Sequence, residues 1–125
     1  MVERRTGRIL NISSAAGEIQ NPTFGVYAAT KGYVSTFSEI LARQLEPLGI
    51  TVTVLVPDWT GPYLAQDALE AFDIEPETRE IMSPTQVARA GYEGLLDGPN
   101  HVIPGRPNWE AVKNALEVRA SAIKP

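Results

Sequence analysis

Three residues in two short motifs hold the chemical potential of this chain: Ser14 in NISSAAG, and Tyr27 and Lys31 in YAATK. Tyr27 and Lys31 stand four residues apart, and Ser14 precedes Tyr27 by thirteen. On a helix, a spacing of four places two side chains on one face, one turn apart. A phenol titrates near ~10 and is by itself a poor proton donor or acceptor at neutral pH. An ammonium one turn away favours the phenolate and moves the phenol toward useful acid–base strength. A hydroxyl at the end of a preceding strand can hydrogen-bond a substrate oxygen beside that phenol. The set suits proton transfer at an alcohol or carbonyl oxygen, with stabilisation of an alkoxide-like charge. Taken alone, Tyr-x-x-x-Lys is a weak motif. The competing reading makes Ser14 a strand-end cap, Tyr27 helix packing and Lys31 a solvated charge.

Other candidates carry less. His101 is the single His and has no partner motif, so it reads as structural. Glu75, Glu77 and Glu80 match no defined metal spacing and read as a solvated loop, so no metal site is expected. The chain contains no Gly-x-Ser-x-Gly for a serine hydrolase. Trp59 and Tyr63 are large aromatics suited to lining a substrate pocket under a mobile segment, with ordinary packing as the alternative.

The elements that must position these residues follow from periodicity. Arg8–Ile12 is a short apolar run closed by Ser-Ser, as in a buried parallel strand. Gly17 through Pro22 reads as loop, because Asn21-Pro22 favours a turn. From about Phe24 to Leu48 the pattern is helical. Val34, Phe37, Leu41, Leu45 and Leu48 form one apolar stripe, and Gly49 stands at a C-cap position. Ile50–Val56 (ITVTVLV) is the strongest strand signal, ended by Pro57 and apolar enough for burial on both faces. The segment 58–83 is irregular and lid-like, with a helix expected around Tyr63–Phe72. Ser83-Pro84 predicts an N-cap and first helical residue. That helix runs to about Leu96 with Val87, Ala88, Tyr92, Leu95 and Leu96 on one side. His101–Pro104 predicts a short strand. Asn108 caps a last helix from Trp109 to about Ala122, its buried face set by Trp109, Val112, Leu116 and Val118 or Arg119. Alternation of strand and helix implies an α/β fold: about three parallel strands joined by right-handed crossovers, with the first strand an open edge.

Composition bounds the reading. The 125 residues fit one domain, 1–125, with 43% hydrophobic and 21% charged residues, an ordinary balance for a soluble globular protein. No apolar run approaches the ~20 residues of a membrane helix, and no signal-peptide pattern follows the basic start. Cys is absent, which excludes a disulfide framework and thiolate chemistry. A net charge of −4 opposes phosphate-driven nucleic-acid binding, and Arg4, Arg5 and Arg8 read as a solvated helix end. The expected location is cytoplasmic.

Around the three chemical residues, GRILNISSAAG and YAATKGYVSTFSEILARQLEPLGITVTVLVP together closely resemble the fifth strand, fifth helix and sixth strand of the short-chain dehydrogenase/reductase family. The similarity is dense over Gly7 to Pro57. VARAGYEGLLDGPNHVIPG extends it, resembling the penultimate helix and final strand. The resemblance implies a partial doubly wound, Rossmann-like sheet and an oxidoreductase acting on an alcohol/carbonyl pair with NAD or NADP. It implies Tyr27 as general acid/base, Lys31 as holder of the nicotinamide ribose and tuner of Tyr27, and Ser14 as the residue orienting the substrate oxygen. It also implies Pro57 and Thr60 beside the cofactor, where the family has Pro-Gly and then Thr and this chain has Pro57-Asp58-Trp59-Thr60. Asp58 replaces a glycine at a point of close approach.

The family's Gly-rich turn, its Asn-Ala-Gly and its fourth catalytic residue, an Asn, have no counterpart in these 125 residues. The expectation is therefore a truncated, C-terminal catalytic half, inactive as an isolated fragment. The alternative is a non-catalytic remnant or subunit that associates with another chain. Similar proteins dimerise through the equivalent of the 24–48 helix, so a homo-oligomer is expected there, held by Val34, Phe37, Leu41 and their neighbours.

Overall fold

The computed structural model describes residues 1–19, 22–61, 70, 81–98 and 100–122. Strand β1 is Gly7–Ile12, followed by a short helix α1, Ala15–Ile19. A 3-10 turn, Pro22–Phe24, leads into helix α2, Gly25–Leu45, and a second 3-10 turn, Glu46–Leu48, ends it. Strand β2 is Ile50–Leu55, helix α3 is Pro84–Asp97, strand β3 is His101–Val102, and helix α4 is Arg106–Ala122. The three strands are parallel in the order β1-β2-β3, so β2 is central and β1 is an edge. The expected α/β architecture stands. Among the described residues, no helix is long and apolar enough to cross a membrane.

Register fixes which side chains share a face. Leu10 pairs with Thr53 and Asn11 with Val54, so successive residues of β1 and β2 point to opposite sides. Asn11 meets Ser38 of α2, whereas Leu10 and Leu55 lie against Gly91 of α3. Helices α2 and α3 therefore cover opposite faces of the sheet. With the strands running 1-2-3 in one direction, helices on opposite faces require connections of opposite hand. The expectation of right-handed crossovers throughout fails at one of the two. The core on the α2 face joins Ala15, Val54, Val56 and Val112 of α4, with Ile19 and Ile103 against them.

Several local expectations are corrected by packing. Gly17 lies inside helix α1 rather than in a loop. A Cβ there would come within 2.6 Å of the Gly32 backbone nitrogen, so glycine lets α1 lie directly on α2. The α2 residues that pack inward are the small ones, Ala28, Ser35, Ser38 and Ala42, and the stripe of larger residues is left half-buried or exposed, Phe37 among them. Helix α3 repeats the device. Val87, Gly91 and Gly94 are its buried residues, while Tyr92 and Leu96 of the expected apolar side face outward. Its start is as expected: Ser83 accepts from the Gln86 N–H, and the Gln86 side chain accepts from the Ser83 N–H.

Helix α4 begins two residues before the expected cap at Asn108, because Gly105, at φ 82°, makes the turn and Pro107 is tolerated in the first turn. Among the described side chains of the expected α4 face, only Val112 is buried; Trp109, Leu116 and Val118 are exposed. The arginine cluster is not at a helix end either, since Met1 to Thr6 forms turns and Arg5 donates to the Pro47 carbonyl. The helix expected at Tyr63–Phe72 (apart from Glu70), the acids Glu75, Glu77 and Glu80, and the pocket residue Tyr63 lie outside the described residues.

Candidate active site

The carboxyl ends of β1 and β2 are joined where the two strands give way to α1 and to the segment after Pro57. Ser13 N–H donates to the Leu55 carbonyl, and Ala15 N–H donates to the Pro57 carbonyl at 2.9 Å. Ser14 sits between them. Its hydroxyl oxygen accepts from the Ala16 N–H at 3.3 Å and its carbonyl from the Gly17 N–H, so it caps α1. The capping half of the competing reading is thus real. Accepting through a lone pair does not use the hydroxyl proton, which Ser14 retains for donation to another oxygen.

Tyr27 lies in the first turn of α2 and is half-exposed, at 48%. Lys31, one turn on, turns back toward the same strand end. Its ammonium donates to the carbonyl of Ile12, the last residue of β1, at 3.2 Å, and lies 5.7 Å from the centre of the Tyr27 ring. At that distance a cation is attracted by the ring face. The structure thus brings Lys31 to both Tyr27 and the strand end that carries Ser14.

Trp59 belongs to the same surroundings. Phe24 stands edge-on to both Tyr27 and Trp59, with ring centres 6.4 Å and 6.1 Å away. Thr60 turns its hydroxyl onto the Asp58 carbonyl at 2.9 Å. The chain from Trp59 to Gly61 is tied to Met82: Met82 N–H donates to the Trp59 carbonyl, and Gly61 N–H donates to the Met82 carbonyl. Residues 59–61 and 82 thus form one hydrogen-bonded stem.

Three contributors went unrecognised in the sequence: Ser13, Ser35 and Phe24. Ser13 and Asn11 alternate on the strand face toward α2, and Ser35 and Ser38 share the facing side of that helix. This pairing of periods was the available signal. His101 ties β3 to α2 through its Nε2, 3.3 Å from Glu39 Oε1, and takes no part in the site. Among the described residues no group of three or more His, Cys, Asp or Glu could hold a metal.

A family model described as short chain dehydrogenase matches residues 1–71. The very-long-chain 3-oxoacyl-CoA reductase of Rattus norvegicus is 44% identical over 112 residues, covering 83% of this chain and 36% of that protein. A short-chain dehydrogenase from Streptomyces avermitilis superposes with a TM-score of 0.77 at 26% identity, over 97% of this chain and 50% of that one. A short-chain dehydrogenase from Sphingobium yanoikuyae, solved in complex with NADPH, gives 0.67 at 29% identity, over 98% and 48%. The chain thus spans about a third to a half of the length of these relatives.

Proposed function

Because this chain belongs to the short-chain dehydrogenase/reductase family, we propose that it carries the proton-transfer half of an oxidoreductase that interconverts an alcohol and a carbonyl with NAD or NADP. The observation behind this reading is the position of Lys31. One ammonium touches the end of β1 and faces the Tyr27 ring. In the proposed reduction, the Tyr27 phenol gives its proton to the substrate oxygen, and the Lys31 ammonium offsets the charge left on the phenolate. The Ser14 hydroxyl donates to the same oxygen and stabilises the charge that builds there. Trp59, edge-on to the Phe24 ring that also meets Tyr27, bounds the substrate side.

The donors present suit the nicotinamide end of the cofactor. An ammonium has three donors, and among the described residues Lys31 uses one on Ile12, so the others suit ribose hydroxyls. Pro57 and Thr60 are proposed, by family resemblance, as further cofactor contacts. When bound, the nicotinamide supplies or accepts the hydride. A Gly-rich turn at a helix N-terminus, the usual pyrophosphate cradle, is not found in these 125 residues. As an isolated polypeptide they are therefore proposed to turn over little or no substrate. The names of relatives such as the rat protein favour a 3-oxoacyl thioester as the first substrate to test.

The test joins this chain to the first half of a family member and measures NADPH-dependent reduction of a 3-oxoacyl-CoA panel. Turnover is expected in the joined protein, and Tyr27→Phe should lower kcat by about 10²- to 10⁴-fold. A joined protein that binds NADPH but reduces nothing, or that keeps its rate in Tyr27→Phe, refutes the reading. The first of these results favours the second reading, a non-catalytic subunit, which draws on the edge of β1 that no other described strand pairs with.

A further inference from the structure

Two hydroxyl relays join β1 to α2, and they differ in one respect. In the first, Asn11 Nδ2 donates to Ser38 Oγ at 2.9 Å, and Ser38 donates to the Val34 carbonyl at 2.7 Å. That last bond runs to the carbonyl four residues back, the usual partner of a helical serine. In the second, Ser35 does not bond its own partner of this kind, the Lys31 carbonyl. Ser35 donates instead to Ser13 Oγ at 2.8 Å, and Ser13 donates to the Lys31 carbonyl at 2.8 Å. Both serines are buried, Ser13 at 2% and Ser35 at 3% exposure. The strand has taken over a bond that the helix could have made for itself.

Lys31 is consequently held twice by consecutive residues of one strand end. Its carbonyl is gripped by the Ser13 side chain, and its ammonium grips the Ile12 carbonyl. Four rotatable bonds separate that ammonium from the backbone, so its place is only as well defined as the two anchors. Low-dielectric burial strengthens the inner anchor, and the bond from Ser35 polarises the Ser13 hydroxyl further. Ser13 also immediately precedes Ser14, so one dipeptide sets both the backbone of Lys31 and the Ser14 hydroxyl.

We propose that Ser13, oriented by Ser35, is the positioning residue of the site: it fixes the Lys31 backbone so that the ammonium reaches Tyr27 and the end of β1. The proposal rests on the reading of Lys31 as the partner of Tyr27, but its test does not need turnover. The chain contains three lysines, Lys31, Lys113 and Lys124, so isotope-labelled lysine gives three sets of side-chain NMR signals, and Lys31→Arg identifies one. With the Lys31 ammonium 5.7 Å from the Tyr27 ring centre, the ring current should displace the Lys31 side-chain signals of the native protein from their position in denaturant. Ser13→Ala should lose more than half of this displacement. Asn11→Ala, which cuts the sister relay, should retain it despite a comparable loss of thermal stability. Should Ser13→Ala lack a cooperative transition, Ser35→Ala decides on the same measure. Tyr27→Phe keeps the ring and so keeps the displacement, which separates failure of the hydride chemistry from failure of this proposal. A folded relay variant with Lys31 unmoved, or an equal movement in Asn11→Ala, overturns it.

Discussion

Ser14 caps α1 and is proposed to serve the substrate with the same oxygen. As the cap of α1 it accepts the Ala16 N–H, and as a proposed substrate contact it donates its proton. Substitutions can separate the two. Ser14→Ala removes both, and loss of a cap of this kind costs roughly 1 kcal/mol. Asp is an equally good cap but, ionised, has no proton to donate. In the joined oxidoreductase, Ser14→Asp should therefore keep the melting temperature of the parent and lose about 10²-fold or more in kcat, as when a preorganised donor is removed from a developing oxyanion. Thermal denaturation and steady-state kinetics on the same samples check this. Activity retained in Ser14→Asp would leave the serine as a cap alone.

Helices α1 and α3 both use glycine as a contact surface. Gly17 meets the backbone of Gly32 and the start of the Lys31 side chain, and Gly94 meets Val102. At Gly17 the obstacle is main chain on the facing helix, which cannot swing aside as a side-chain tip can. Gly17→Ala should push α1 off α2 and destabilise the fold by about 1–3 kcal/mol, the range for an overpacked contact. Chemical denaturation measures it. A neutral Gly17→Ala would show that α1 adjusts freely and that the close approach does not constrain the site. The same contact bears on chemistry, since α1 presses on the turn of α2 that carries Lys31.

For the molecule as a whole, the outer side of α2 stands out. Val26 is 83% exposed and Tyr33 67%, and Tyr33 stacks on Phe37 with ring centres 5.9 Å apart. Ile40 continues the patch one turn on. Apolar surface on this scale marks an interaction site more often than a bare surface. A two-fold dimer through α2 is the proposed assembly, with Phe37 central and Val34 and Leu41 at its border. Light scattering should report twice the mass of 13.6 kDa at micromolar concentration, and a Tyr33→Glu/Phe37→Glu variant should return it to one. A wild-type monomer with a cooperative thermal transition would refute the assembly.

The strands, most of the helices and the meeting of Lys31 with Tyr27 were legible because they depend on near neighbours in the chain. The apolar run Ile50–Leu55 becomes the central strand because every position of it suits burial. Ser83 with Gln86, and Gly49 at φ 71°, end or begin helices through contacts only a few residues long. The spacing of Tyr27 and Lys31 is likewise a property of one helical turn. What the tertiary structure alone decided is which side of each helix faces the sheet. Hydrophobicity pointed to Phe37, Tyr92 and Leu116, yet the close packing goes through Ala28, Ser35, Gly91 and Gly94. Where backbones approach closely there is room only for small side chains, and periodicity of large ones cannot reveal that. The opposite placement of α2 and α3 and the double hold on Lys31 belong to the same class. Each joins residues distant in sequence, so each exists only once the register of β1 on β2 is set.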